Sequence, residues 1–148
     1  MQRIRYERIL VATDFSDAAN AALEVAINLS RHFECELVLV HAFNTEIPIA
    51  PALRRGIVRP DVYFEQIATE AEAHVDEATR KISASGVRAV GLAVDSPAAV
   101  AITGEAERRD ADLIIMGTRG LSGLKHVALG SVADQVIRTS KCPVMAVP

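Results

Sequence analysis

Five short runs of apolar residues recur along the chain, and a stretch with helical spacing lies between each run and the next. The runs are Arg8–Ala12, Glu36–Ala42, Ala89–Val94, Leu113–Met116 and Cys142–Pro148. Short continuous apolar runs suit strands buried on both faces. Strands that alternate with helices build a parallel sheet, because each parallel connection needs a crossover long enough to hold a helix. The expected fold is therefore α/β: an open parallel five-stranded sheet with helices on both faces.

Local signals place the helices. Ser16 reads as an N-cap and Asp17 as a favourable first-turn acid, with a helix running to about His32. Ala19, Ala22, Leu23, Ala26, Ile27 and Ser30 fall on one face of it at steps of three and four. A longer helix is predicted over 62–85, with Ile67, Ala71, Val75, Ala78 and Ile82 on its buried stripe and Gly86 as its stop. Ser96 and Pro97 read as an N-cap followed by proline at the first helical position. The last helix is expected over 131–140, capped by Ser131 with Asp134 three residues on. Residues 44–60 hold Pro48, Pro51, Pro60 and Gly56 and read as a long surface excursion.

At 148 residues the chain reads as one domain over 1–148, long enough to bury a core. Aromatic residues make up only 4% and Trp is absent, which argues against a base-stacking surface. A net charge of −3 gives no pull toward nucleic acid or an anionic membrane, and neither is expected as a partner. No run reaches the 18 or so apolar residues that span a bilayer, and no secretory pattern opens the chain. Cys35 and Cys142 form no C-x-x-C, so two buried thiols in a reducing, cytoplasmic setting are expected.

The chemistry-bearing stretch runs from Leu113 to Ser131. An apolar run is followed by Gly117, Gly120 and Gly123, then by Gly130 and Ser131 at the start of a helical pattern. Glycine permits positive φ and close approach of the backbone to a ligand. A helix N-terminus adds unpaired N–H donors and a positive dipole end, and phosphate is the usual guest of such a place. The same glycines also suit a plain turn, and Ser131 also suits a cap with no ligand. Neither G-x-x-x-x-G-K-[ST] nor a G-x-G-x-x-G after the first strand occurs, so the P-loop and the dinucleotide fingerprint are excluded. The absence of G-x-S-x-G removes a nucleophile elbow, and the histidines lack zinc-like spacing.

Ligands of open parallel sheets sit beyond the carboxyl ends of the strands where strand order reverses. Orders 2-1-3-4-5 and 3-2-1-4-5 both fit the alternation. A glycine-rich loop after the fourth strand favours 3-2-1-4-5, which sets Asp14 across a crevice from Gly117 to Ser131. Asp14 is then a candidate for ribose or base donors, or alternatively a turn carboxylate. Backbone groups near Val40 are candidates for an adenine edge. Arg119, Lys125 and His126 are candidates for phosphate charge, and His41 reads as a core or rim residue.

At these residues the chain resembles the universal stress protein family. That family carries G-x2-G-x9-G-[ST] between its fourth strand and last helix, which stands here as Gly117-Thr-Arg-Gly120, nine residues, then Gly130-Ser131. Ile9-Leu-Val-Ala-Thr-Asp14-Phe-Ser16, Leu37 to His41 and Lys141-Cys-Pro-Val-Met-Ala-Val147 resemble its first, second and last strands. The resemblance implies the adenine nucleotide alpha hydrolase-like fold and an ATP-binding regulatory protein. It implies that Asp14 contacts the nucleotide, that Val40 meets adenine through its backbone, and that Gly117, Gly120, Gly130 and Ser131 hold ribose and phosphates. Ala12, Thr13, Met116, Arg119 and Val132, beside these positions, complete the implied cofactor site. ATP or a related adenine nucleotide is the implied cofactor, with Mg²⁺ reached through Asp14. A homodimer through the edge strand 143–148 is also implied, and an open apolar edge gives it a physical reason. The alternatives are a slow ATP hydrolase and a ligand-free dimerisation scaffold. Phe15 stands where the family's turn often has glycine, and its bulk is expected to narrow the mouth of the site.

Overall fold

Residue parity along each apolar run decides the architecture. Leu10, Val38 and Ile114 face one side of the sheet, and Ile9, Leu37, Leu39 and Ile115 face the other. All seven are completely buried, so each face needs its own layer of helices. The computed structural model describes residues 5–45, 55–56, 59–119 and 129–148. In chain order it contains β1 (Arg8–Ala12), α1 (Asp17–Phe33), β2 (Glu36–Phe43), α2 (Pro60–Ala84) and β3 (Ala89–Asp95). Then follow α3 (Ala98–Arg108), β4 (Leu113–Gly117), α4 (Ser131–Thr139) and β5 (Val144–Val147).

The strands form one parallel sheet of order β3-β2-β1-β4-β5. The order 3-2-1-4-5 is thus the one adopted. Strand order reverses between β1 and β4, where Ile9 pairs with Leu113 and Val11 with Ile115. Helices α3 and α4 cover one face through Ala99, Ile102, Ala133 and Val136. Helices α1 and α2 cover the other through Ala22, Ala26 and Ile82. Small residues seat these helices close to the sheet. Gly91 in β3 is the sharpest case: a Cβ there would lie 2.1 Å from Thr79 Oγ1 and 2.6 Å from Val75 Cγ1 of α2.

The amino ends of the strands are tied off by side chains. Asp112 Oδ2 accepts the amides of Glu7 and Arg8 at 2.7 and 2.8 Å. Arg8 Nε lies 2.7 Å from Glu36 Oε1, and its guanidinium also donates to the Arg109 carbonyl. At the other end of the sheet, Asp95 accepts both the amide and the hydroxyl of Thr45, at 2.9 and 2.5 Å. Those bonds hold its carboxyl below the usual range. They fix the start of the 44–60 excursion, whose Pro48 and Pro51 lie outside the described residues.

Helix ends follow the expected chemistry in part. Ser16 Oγ accepts the Ala19 amide at 3.2 Å and caps α1. Gly86, at φ 89°, follows α2. Two expectations are corrected. Pro97 itself occupies the cap position of α3, so Ser96 stands outside it and caps nothing. Gly130 occupies the cap position of α4 with extended backbone, because its carbonyl accepts the Asp134 amide at 3.0 Å. Ser131 is therefore the first helical residue, and it makes no capping bond. Cys35 is buried and Cys142 half-buried, both as free thiols, and burial pushes the Cys35 thiol up. Among the described residues no helix is long and apolar enough to cross a membrane.

Candidate functional site

The carboxyl ends of β1, β2 and β4 surround a cavity of about 310 Å³ beside the point of strand reversal. One wall is the turn after β1. Its amides are met partly by β2 and partly by the turn's own side chains. Thr13 donates its amide to the Val40 carbonyl at 2.9 Å, continuing the β1–β2 ladder by one residue. Thr13 Oγ1 accepts from Phe15 N and Asp14 Oδ1 from Ser16 N, each at 3.0 Å. Asp14 is thus a turn carboxylate and a cavity-lining residue at once. A carbonyl has two lone pairs, so the Val40 oxygen keeps acceptor capacity after the bond from Thr13.

Phe15 corrects an expectation. It has φ 61°, the left-handed region, which turns its ring away from the cavity. The ring lies instead on the opposite face, 4.8 Å from His41 and 5.6 Å from His74 between ring centroids. Its bulk therefore leaves the mouth of the cavity unaffected. His41 Nδ1 sits 2.9 Å from the Thr13 carbonyl. A carbonyl only accepts, so this nitrogen is the protonated one, and His41 is the rim residue its position implied.

The facing wall is the β4–α4 connection. Thr118 donates its amide to the Val147 carbonyl at 2.9 Å and accepts the Gly130 amide at 2.6 Å. This second bond closes the ends of the loop on each other. It also explains the glycine. A Cβ on Gly130 would lie 2.9 Å from the Thr118 oxygen, and one on Gly117 would lie 3.0 Å from the backbone of Ala18. Gly130 has φ −69°, and among the described glycines only Gly56 and Gly86 have positive φ. The two motif glycines are therefore needed for space, not for an unusual dihedral angle. Among the described residues, nothing accepts from the first-turn amides of Ser131, Val132 and Ala133. These donors and the positive end of α4 open toward the cavity.

The cavity gathers ten of the eleven expected residues. Ala12, Thr13 and Asp14 come from the first wall, Val40 from β2, and Met116, Gly117 and Arg119 from β4 and its exit. Gly130, Ser131 and Val132 come from the head of α4. Gly120 lies outside the described residues, as do Lys125 and His126. Six further lining residues were not anticipated: Ala19, Ala42, Ala98, Ile102, Thr118 and Ala133. Thr118 stands inside the glycine motif and Ala42 beyond Val40, so adjacency was their signal. Ala98 and Ile102 sit one helical turn apart on α3, whose head reaches the cavity from β3, two strands away from β1.

The cavity is chemically divided. Ala12, Val40, Ala42, Ile102 and Met116 make an apolar part. Asp14, Ser131 and the open amides of α4 make a polar part. Asp14 is the single carboxylate of the described lining. No group of three or more His, Cys, Asp or Glu suited to a metal occurs among the described residues.

Residues 5–148 match the model of the universal stress protein family. The chain is 30% identical over 146 residues to the universal stress protein YxiE of Bacillus subtilis, covering 96% of this chain and 99% of that one. Its fold is shared with universal stress protein UspA from Lactobacillus plantarum, at a TM-score of 0.83 and 24% identity over 99% of this chain and 100% of that one. The universal stress protein from Archaeoglobus fulgidus solved in complex with dAMP has a TM-score of 0.69 and 23% identity, over 98% of this chain and 100% of that one. The chain belongs to the universal stress protein family.

Proposed function

We propose that this universal stress protein binds an adenine nucleotide in the cavity between β1 and β4 and acts as a nucleotide-dependent regulatory module of the stress response. One observation carries the reading: a helix start with no side-chain cap faces a cavity whose other part is apolar. A nucleotide has that polarity, with a flat base at one end and anionic oxygens at the other. The base lies among Ala12, Val40, Ala42 and Met116, where the Val40 carbonyl accepts from its exocyclic amine. The phosphates take the amides of Ser131 and Val132 and the Ser131 hydroxyl, beside walls that Gly117 and Gly130 let close on Ala18 and Thr118. Arg119 adds positive charge at the exposed side. Asp14 takes ribose hydroxyls or a Mg²⁺ ion shared with phosphate oxygens, since Mg²⁺ is commonly held by one carboxylate together with phosphates. The dAMP complex of the Archaeoglobus fulgidus relative supports an adenine ligand in this fold.

The protein works as a homodimer in the cytoplasm. β5 is an edge strand, and Met145 on it is 38% exposed. An apolar strand with an unpaired edge gains by pairing with a second copy.

Thermal unfolding with ATP, ADP, AMP and cyclic AMP tests the binding. A ligand at a hundred times its Kd stabilises the native state by about 2.7 kcal/mol, a rise of several degrees. If no adenine nucleotide raises the midpoint at millimolar concentration, the reading fails and the dimerisation scaffold takes its place. Sedimentation at micromolar concentration tests the dimer, and a strictly monomeric species rejects it.

A further inference from the structure

The two faces of the sheet are covered differently. On the face that carries the nucleotide cavity, α3 and α4 pack side by side. On the opposite face α1 lies over β1 and β4 and α2 over β2 and β3, and the two helices leave a gap that ends where Arg31 of α1 donates to the Ser85 carbonyl at 3.3 Å. Each is pinned where it is. Gly91 draws α2 onto β3. Ala22 and Ala26, with Ala18 against Gly117, draw α1 onto β1 and β4. The helices cannot slide together without losing those seats, so the gap is built into the fold rather than left by poor packing.

That gap is a groove of about 470 Å³, within the range of small-molecule sites. Leu23 and Ile27 of α1 face Ala78 of α2 across it, over the buried side chains of Leu39 and Ile82. The ring of Phe15, steadied by His41 and His74, closes one end. Between His74 and Ser85 the groove follows eleven residues of α2, a length of about 16 Å at helical rise. Among the described lining residues Glu77 and Lys81 carry formal charge, and they pair with each other at 2.8 Å; Arg31, which donates to the Ser85 carbonyl, stands outside the lining. The other polar side chains of the described lining are Thr13, Asn20 and His74 at the Phe15 end and Ser85 at the other.

We propose that this groove is a second ligand site, for an uncharged, elongated apolar molecule with one hydrogen-bonding group met by Asn20 or His74. The apolar walls take the body of the ligand. The Glu77–Lys81 pair lies at the exposed rim and leaves no unmatched charge among the described lining residues, so a charged head drawn in among the apolar walls would lose hydration without gaining a partner there. The site is distinct from the nucleotide cavity and does not depend on it. Thr13 borders both cavities, while Asp14 lines one and Phe15 the other.

Fluorescence titration of the full chain with N-phenyl-1-naphthylamine, an uncharged probe, tests the proposal. Anilinonaphthalene sulfonate, nearly the same molecule with an anionic group, is the control. The expected result is saturable binding of the uncharged probe at one site, with the sulfonate at least about tenfold weaker. Ala78→Phe fills the groove from α2 and Leu23→Phe from α1. Each variant that retains cooperative thermal unfolding is expected to lose about tenfold or more in probe affinity. The proposal is overturned if the uncharged probe does not saturate, if the sulfonate binds equally well, or if a folded groove variant binds the probe like the parent. Octanol displacing the probe where octanoate and octylammonium do not would extend it to aliphatic ligands, and the reverse order would overturn it.

Discussion

The turn after β1 and the connection after β4 face each other over one cavity, yet they meet the same problem in opposite ways. Each must satisfy the amides at the start of a helix. The first does so with its own side chains: Thr13, Asp14 and Ser16 take the amides of Phe15, Ser16 and Ala19. Among the described residues the second brings no side chain to the head of α4, and Gly130 in the cap position has none to offer. A closed helix start is a structural device. An open one beside a cavity leaves donors for something from outside the fold. For the proposed nucleotide, the difference says where its anion would sit: at α4, with the α1 turn contributing shape and the Asp14 carboxylate.

The hardest test of this contrast is Gly130→Val. A Cβ at that position already falls 2.9 Å from the Thr118 carbonyl, which is also the acceptor of the Gly130 amide at 2.6 Å. Backbone cannot yield as a flexible side chain can. We expect nucleotide affinity to fall about a hundredfold, with about 1–3 kcal/mol lost from folding stability. Calorimetric titration and denaturant unfolding read the two effects. Unchanged affinity would mean that the closed β4–α4 connection is only a turn.

Asp14 comes next. Asp14→Ala removes both a carboxylate from the cavity and the acceptor of the Ser16 amide. About tenfold in affinity and about 1 kcal/mol in stability should go together. Asp14→Asn separates the two, because an amide oxygen still accepts from Ser16 while the charge is gone. It should keep the stability and lose the affinity. If Asp14→Asn binds nucleotide as well as the parent, the carboxylate serves the turn alone.

A matched pair of serines sharpens the contrast further. Ser16→Ala deletes a working cap and should cost about 1 kcal/mol of stability with nucleotide affinity unchanged. Ser131→Ala deletes a hydroxyl that caps nothing. It should leave stability within about 0.5 kcal/mol and weaken nucleotide binding by about 0.5–1.5 kcal/mol. Equal effects of the two substitutions on both measurements would erase the distinction between the two helix starts.

How much of this could be read from the chain depends on the kind of force involved. The sheet was legible because burial on both faces leaves uninterrupted apolar runs such as Leu10–Ala12 and Leu113–Met116, and because crossover length forces them parallel. The positions of Asp14, Gly117 and Gly130 were legible because strand ends and glycine spacing locate a crevice. The reason for the glycines was not. Whether a glycine supplies positive φ or clearance depends on what approaches it, and Ala18 and Thr118 are brought there by tertiary packing. Ser131 was assigned a cap one residue late, since serine and glycine are both acceptable in that position and only the bond from Asp134 to Gly130 decides. Ala98 and Ile102 were hidden because an alanine-rich helix start carries no chemistry of its own. The groove on the far face was invisible for a similar reason: Leu23, Ile27, Ala78 and Ile82 have ordinary core spacing, and only the seating of two helices apart turns core stripes into walls.

Phe15 carries the smallest expected effect and the finest discrimination. Its backbone holds a left-handed conformation that glycine would adopt without strain. The strain is worth about 1–2 kcal/mol. Against its relief stand the greater freedom that glycine gives the unfolded chain, about 0.5–1 kcal/mol, and lost ring contacts with His41 and His74 at about 0.5–1.5 kcal/mol each. The losses outweigh the relief, so Phe15→Gly should lower stability by about 1 kcal/mol. Its ring lies behind the wall that Asp14 presents to the cavity, and nucleotide affinity should therefore stay at the parent value. In the groove, where Phe15 closes one end, the uncharged probe should bind several-fold less tightly. A rise in nucleotide affinity with no change in probe binding would place the ring at the mouth of the first cavity, and the two faces of this turn would have been assigned the wrong way round.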